Sequence, residues 1–180
     1  MLLHHRATIK GIRNLDTINR IEIGIGYIGF IHKADYTYLN IQGKLQIKGI
    51  YSIGRGCRFD IGKNAIVTIG NGGYINAYTK LIIMHQLSIG DNCSISWDCQ
   101  ILDENFHEVT YPGMIKSEKK GIIIGNHVLI GSRCTILKGV IIPDGCVIAS
   151  GSVVNRAFTE KNCLIGGIPA NVIKQNIKWK

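Results

Sequence analysis

Proline is nearly missing, with three residues in 180. That excludes a collagen-like or Pro-rich extended chain. Charge is scarce as well: Asp, Glu, Lys and Arg make up 18%, against about 25% in an average chain. With 46% hydrophobic residues, the chain has the apolar side chains for a core, which rules out wholesale disorder. No apolar run reaches the ~18 residues of a membrane-spanning helix. Met1 to His5 offers two leucines before polar residues, so neither a signal peptide nor a transmembrane segment is expected and the expected compartment is cytoplasmic. None of the six cysteines forms a CxxC pair, which excludes zinc-ribbon and thioredoxin-type sites. Acidic residues are the minority, 12 against 21 Lys and Arg, for a formal charge of +9. The excess is densest at Lys116–Lys120 and Lys174–Lys180. Such a balance suits a phosphorylated cofactor, an acidic glycan or a lipid surface. No basic stripe carries interleaved aromatics, so nucleic acid is not expected as a partner.

What the chain does have is isoleucine, 34 residues, and glycine, 22 residues. High Ile and Gly with little charge suit many short strands joined by tight turns rather than a helical bundle. The isoleucines are periodic. From Ile124 the hexads read IGNHVL, IGSRCT, ILKGVI, IPDGCV and IASGSV, with Val154 next in phase. Earlier hexads start at Ile89, Ile95 and Ile101, and at Ile41, Ile47 and Ile53; Ile61 and Ile69 follow after phase breaks. The fifth hexad position is compact: Cys57, Ala65, Gly73, Cys93, Cys99, Val128, Cys134, Val140, Cys146, Ser152. Five of the six cysteines thus share one place in the repeat. They read as small hydrophobes in a narrow interior corner, not as disulfides. One such hexad cannot bury itself, but stacked hexads form a continuous apolar column.

These hexads resemble the hexapeptide-repeat acyltransferases. The resemblance implies an all-β chain: a left-handed parallel β-helix with three hexads per coil, a protruding loop and a short C-terminal tail or helix. It extends over 41–174 and is strongest from Ile89. Residues 1–40 read as an N-terminal cap or irregular first coil, and 175–180 as a tail. The hexads lapse after Ile101 and resume at Ile124. The polar interval 103–120 contains the turn signal Tyr111-Pro112-Gly113, and a polar excursion from a stacked scaffold is where function tends to lie.

Within it, Asp103-Glu104-Asn105-Phe106-His107 looks like the D-x-D-x-H segment of the acetyltransferases in this family that modify sugars and polysaccharides. By resemblance His107 is the catalytic base. The chemistry agrees, because acetyl transfer from a thioester to a hydroxyl needs a base working near neutral pH. Asp103 or Glu104 would orient its ring; the sequence does not choose between them.

On the donor side the resemblance implies acetyl-CoA in a groove between subunits of a homotrimer. The Ser132 N–H would then lie nearest the thioester, Ser150 and Gly151 along the pantetheine arm, and Asn155 and Arg156 beyond. Lys174 would meet the nucleotide phosphates, with Asn171 where the family often has a basic residue. On the acceptor side Asn76 fits the family's asparagine by position, His85 stands near the place of its acid, and Trp97 offers an aromatic face. The implied activity is O-acetylation of a sugar or surface polysaccharide (capsule, O-antigen or exopolysaccharide), which would associate the chain with a glycan-assembly pathway at the inner membrane face. Alternatives are acetylation of a small molecule such as a free sugar or chloramphenicol, a zinc enzyme of the gamma-carbonic-anhydrase kind using His85, His107 and His127, and a non-enzymatic β-helix. No metal is expected.

Overall fold

The computed structural model describes residues 1–26, 31–107, 112–113 and 121–180. The described residues form 22 short strands and one 3-10 turn at Ile12–Asn14. The strands fall into three sheets, one per face of a triangular left-handed β-helix. One coil shows the plan. Ser94–Ile95 lies on the first face, Gln100–Leu102 on the second and Ile122–Ile124 on the third; the next coil repeats this with Leu129–Ile130, Thr135–Ile136 and Ile141–Ile142. Neighbouring strands are parallel, and Ile130 lies beside Ile148, Ile124 beside Ile142 and Ile136 beside Val154. Eighteen residues therefore close a coil, three of the hexads read from the sequence.

The repeat is physical. Its first-position residues, such as Ile89, Ile95, Ile101, Ile130 and Ile136, are at most 1% exposed. The fifth-position residues Cys93, Cys99, Val128, Cys134 and Cys146 are fully buried beside them. Two inward side chains per hexad fill a narrow prism, and burial of that column is what stacks the coils. The cysteines are free thiols. They donate to main-chain carbonyls of the next coil: Cys99 Sγ to Gly131 O at 3.1 Å, Cys134 Sγ to Ala149 O at 3.1 Å.

Both chain ends fall within alternatives that the sequence left open. Before residue 41 the chain is already coiled: Leu2–Leu3 pairs with Ile21–Ile23 on the first face, and Ala7–Lys10 pairs with Thr37–Ile41 on the second. The stretch 1–40 is therefore stacked as coil, and its irregularity comes from an excursion between Gly24 and Tyr36 that puts Leu39, thirty residues on, beside Ile9. The chain end holds no helix; Leu164–Gly167 and Ala170–Lys174 pair as an antiparallel hairpin. Beyond it the tail returns to the corner between third and first faces. There the Trp179 ring stacks on His127 with centroids 4.0 Å apart and planes within 4°, and Trp179 Nε1 donates to His127 O at 3.1 Å. Among the described residues no helix is long and apolar enough to cross a membrane.

Candidate active site

The long excursion leaves the coil at the corner between second and third faces. It separates Ile101 from its neighbour Ile136 by thirty-five residues instead of eighteen. Its root is fixed by Asp103, which is fully buried. The Asp103 carboxylate accepts the main-chain N–H groups of Met84, His85 and Gln86 at 2.7, 2.8 and 2.8 Å. A buried carboxylate with three N–H donors is stable where a bare one is not. Asp103 is thus committed to holding the corner. Glu104 reaches the other way: its Oε2 lies 2.8 Å from His85 Nε2 and its Oε1 accepts the Asn105 N–H at 2.8 Å. His85, expected near the acceptor, is paired with Glu104 at this same corner. His107 stands exposed on the excursion just beyond them. Residues 108–111 and 114–120, including Lys116–Lys120, lie outside the described residues; Pro112 and Gly113 form a turn, with Gly113 at φ 81.

A second locus lies one corner away, between first and second faces. A cleft of about 770 Å³ runs along it, lined by Ser132, Ser150 and Gly151 at one end, Trp97, Asp98 and Arg133 in the middle, and Gly56, Arg58, Tyr78 and Lys80 at the other. The expected donor residues Ser132, Ser150 and Gly151 therefore come together with Trp97. Asn76 joins Trp97 in an adjoining cavity of about 450 Å³, walled also by Gly26 and Ile31 of the Gly24–Tyr36 excursion. Asp35 and Tyr36, at the end of that excursion, hydrogen-bond to Tyr78 and Arg58 at the lower end of the cleft. Asp35 accepts hydrogen bonds from the Tyr78 hydroxyl and the His32 N–H. The Tyr78 bond holds the Asp35 carboxyl below its usual value, helped by the His32 N–H, and raises Tyr78. The remaining donor residues sit at the top of the molecule: Arg156 Nη2 donates to Asn171 Oδ1 at 2.5 Å, and Asn155 and Lys174 are exposed near the hairpin.

The hexad reading missed Tyr78, Asp98 and Arg133. All three occupy the fourth hexad position at this corner, in the left-handed backbone region (φ 66, 54 and 59), in the same column as Gly56 and Gly151. The signal was a large or charged side chain where the turn favours glycine. The three histidines considered for a metal are not assembled, since His127 lies at the third corner under Trp179 while His85 and His107 lie at the second. No thiol is poised for attack; burial pushes Cys57 and Cys99 up to about 12 and Cys93 to about 11.

A family model described as the hexapeptide repeat of succinyl-transferase matches residues 121–156. The chain is 40% identical over its whole length to an uncharacterised 24.8 kDa protein in the cps region of Klebsiella pneumoniae, covering 81% of that protein. It is 26% identical over 77% of its length to an Escherichia coli K12 protein assigned to lipopolysaccharide biosynthesis as an O-acetyl transferase, covering 75% of it. Among solved structures, a polysialic acid O-acetyltransferase superposes with a TM-score of 0.52 at 26% identity, over 99% of this chain and 89% of that one. A hexapeptide-repeat acetyltransferase of Vibrio cholerae, solved with acetyl-CoA, superposes with a TM-score of 0.55 at 26% identity, over 67% of this chain and 64% of that one.

Proposed function

The chain belongs to the hexapeptide-repeat acyltransferases and is an acetyltransferase, and on that premise we propose that it moves acetyl from acetyl-CoA to a hydroxyl of a sugar or surface polysaccharide. The observation that carries this reading is the cleft in which Ser132, Ser150, Gly151 and Trp97 converge.

In the reaction, the His107 imidazole takes the acceptor hydroxyl proton as the oxygen attacks the thioester carbonyl. The Ser132 N–H stabilises the tetrahedral oxyanion, a contribution of ~10²–10³ in rate for one such donor. Collapse expels the CoA thiolate, which recovers the proton from the imidazolium. No covalent enzyme intermediate is needed, in keeping with the buried, protonated cysteines. The Glu104–His85 pair helps fix the root of the loop that carries His107, while Asp103 fixes the backbone. Above the reacting centre, Ser150 and Gly151 flank the pantetheine arm, and Asn155, Arg156, Asn171 and Lys174 receive the nucleotide end. Asn76 and Trp97 serve the acceptor.

His107 and the cleft occupy different corners of one coil stack. A complete site then joins the cleft of one subunit to the His107 loop of the next, which a threefold assembly provides in three equivalent copies. The need for acetyl-CoA supports a cytoplasmic reaction, on glycan intermediates or on chains at the inner membrane face. The test is acetyl-CoA consumption against a panel of mono- and oligosaccharides, with chloramphenicol as a small-molecule control. Turnover with sugars that His107→Ala abolishes is expected. Near-wild-type turnover in His107→Ala overturns the assignment of the base.

A further inference from the structure

The cleft is longer than the donor residues require. Ser132, Ser150 and Gly151 belong to two adjacent coils at its upper end. Arg58, Tyr78 and Lys80 belong to coils below, and the strands run in the order Arg58, Lys80, Gln100, Thr135, Val153 up the second face. At the usual spacing between strands, Arg58 lies roughly 14 Å below the coil of Ser132. The lower cleft is therefore beyond the reacting carbonyl, on the side away from the nucleotide cluster at Arg156 and Asn171.

The cleft from Arg133 down to Arg58 carries a small excess of positive charge, and the further carboxylate at its lower end, Asp35, is held on the Tyr78 hydroxyl. Lys80 Nζ is paired with Asp98 at 2.7 Å, and both are about half exposed, so the two largely cancel. Arg58 and Arg133 are left over. Among the described residues neither has a carboxylate partner. Arg58 is held in place, its guanidinium lying over the Tyr36 ring 5.5 Å from the centroid and donating to the Tyr36 carbonyl. Arg133 occupies a left-handed backbone position at φ 59, where the coils above and below the middle of the cleft use Gly151 and Gly56. An L side chain there carries a conformational cost that glycine avoids, and local backbone strain of this kind clusters at binding and catalytic sites. Beside these cations, Trp97 and Tyr78 supply apolar ring faces.

Resting on the acetyl-transfer reading above, we propose that the cleft between Arg133 and Arg58 is an acceptor subsite for an anionic glycan, one whose sugars carry carboxylates. Arg58 and Arg133 engage the carboxylates with planar paired donors, while Trp97 and Tyr78 lie against the sugar rings. The charge fixes which hydroxyl reaches the thioester.

The experiment pairs each carboxylated acceptor with its carboxyl-reduced counterpart, which keeps the hydroxyls and loses the charge. Oligomers of galacturonate, glucuronate and sialate are compared with their reduced forms, and a sugar phosphate is added as a further arm. Transfer is followed with acetyl-CoA, and binding by calorimetry. At least one carboxylated member is expected to exceed its reduced partner about tenfold or more in kcat/KM, and in affinity, with the excess shrinking in high salt. Arg58→Gln and Arg133→Gly bring that ratio toward one through KM, while the Tm of Arg133→Gly stays equal or rises. No preference in any pair, in transfer or in binding, overturns the proposal and leaves acetyl transfer standing. A sugar phosphate preferred over every carboxylated member also overturns it. Failure of the protein to bind or consume acetyl-CoA refutes the acetyl-transfer reading instead, and the calorimetric pairs still decide the anion subsite.

Discussion

At the residue scale, three carboxylates and histidines close in sequence have separate tasks. His107 is exposed and free to act on a substrate, so its removal touches chemistry and not packing. His107→Ala is expected to lower kcat by ~10²–10⁴ with an unchanged Tm, as read by steady-state kinetics and calorimetry. Asp103 is the opposite case, since its three N–H partners make it structural. Asp103→Asn exchanges charge-assisted bonds for weaker ones and sets an amide NH₂ against a donor, so a loss of roughly 1.5–3 kcal/mol in urea unfolding is expected. The buried thiols make stability depend on pH. Burial raises Cys57 and Cys99 to about 12 and Cys93 to about 11 in the folded chain, above their values when unfolded. Their contribution is complete below the unfolded thiol pKa and is lost as pH rises through the folded values. Tm should therefore fall from about pH 9 toward pH 12, and a Cys99→Ala variant should show a shallower fall. The cysteine column was legible in the sequence because every member obeys one size rule. The proposed base, His107, was singled out by its motif, whereas the fate of Asp103 was not. Its partners are main-chain groups on the preceding coil, and no side-chain pattern announces them.

At the scale of strands and corners, the coils are tied by a ladder at the third corner. Asn71 Oδ1 accepts the Ile50 N–H, Asp91 Oδ1 that of Asn71, Asn126 Oδ1 that of Asp91, and Asp144 Oδ1 that of Asn126. Each rung needs the coil beneath to present no side chain at the contact. A Cβ on Gly125 would meet Asp144 Oδ1 at 2.5 Å and Asp144 N at 2.7 Å. Gly125→Ala is thus expected to displace the rung and cost about 1–3 kcal/mol, measurable as a lower Tm, with little effect on KM for acetyl-CoA because this corner is not the cleft. The hexad spacing made the strands from Ile41 onward readable, since the first and fifth positions both point inward. Residues 1–40 read only as a cap or an irregular first coil because the Gly24–Tyr36 excursion stretches the interval between stacked residues to thirty. Sequence separation alone then hides a neighbour that is in register in space.

At the scale of the whole molecule, the proposed division of the site between corners would make activity a property of the assembly. A Ser150→Trp variant fills the donor cleft and leaves His107 in place; His107→Ala does the reverse. Each alone is expected to be inactive, and refolding the two together should restore a fraction of the activity through mixed trimers. Absence of any recovery in verified mixed trimers would place base and cleft on the same subunit. A coil stack also behaves as a graduated scale. The distance between the proposed acetyl-delivering corner at Ser132 and Arg58 is a whole number of turns, each close to 4.8 Å. Such a spacing changes only in jumps, when one turn is gained or lost. Variants of this scaffold with different turn counts would shift the modified position along a polymer by discrete increments, with the acid–base machinery left as it was.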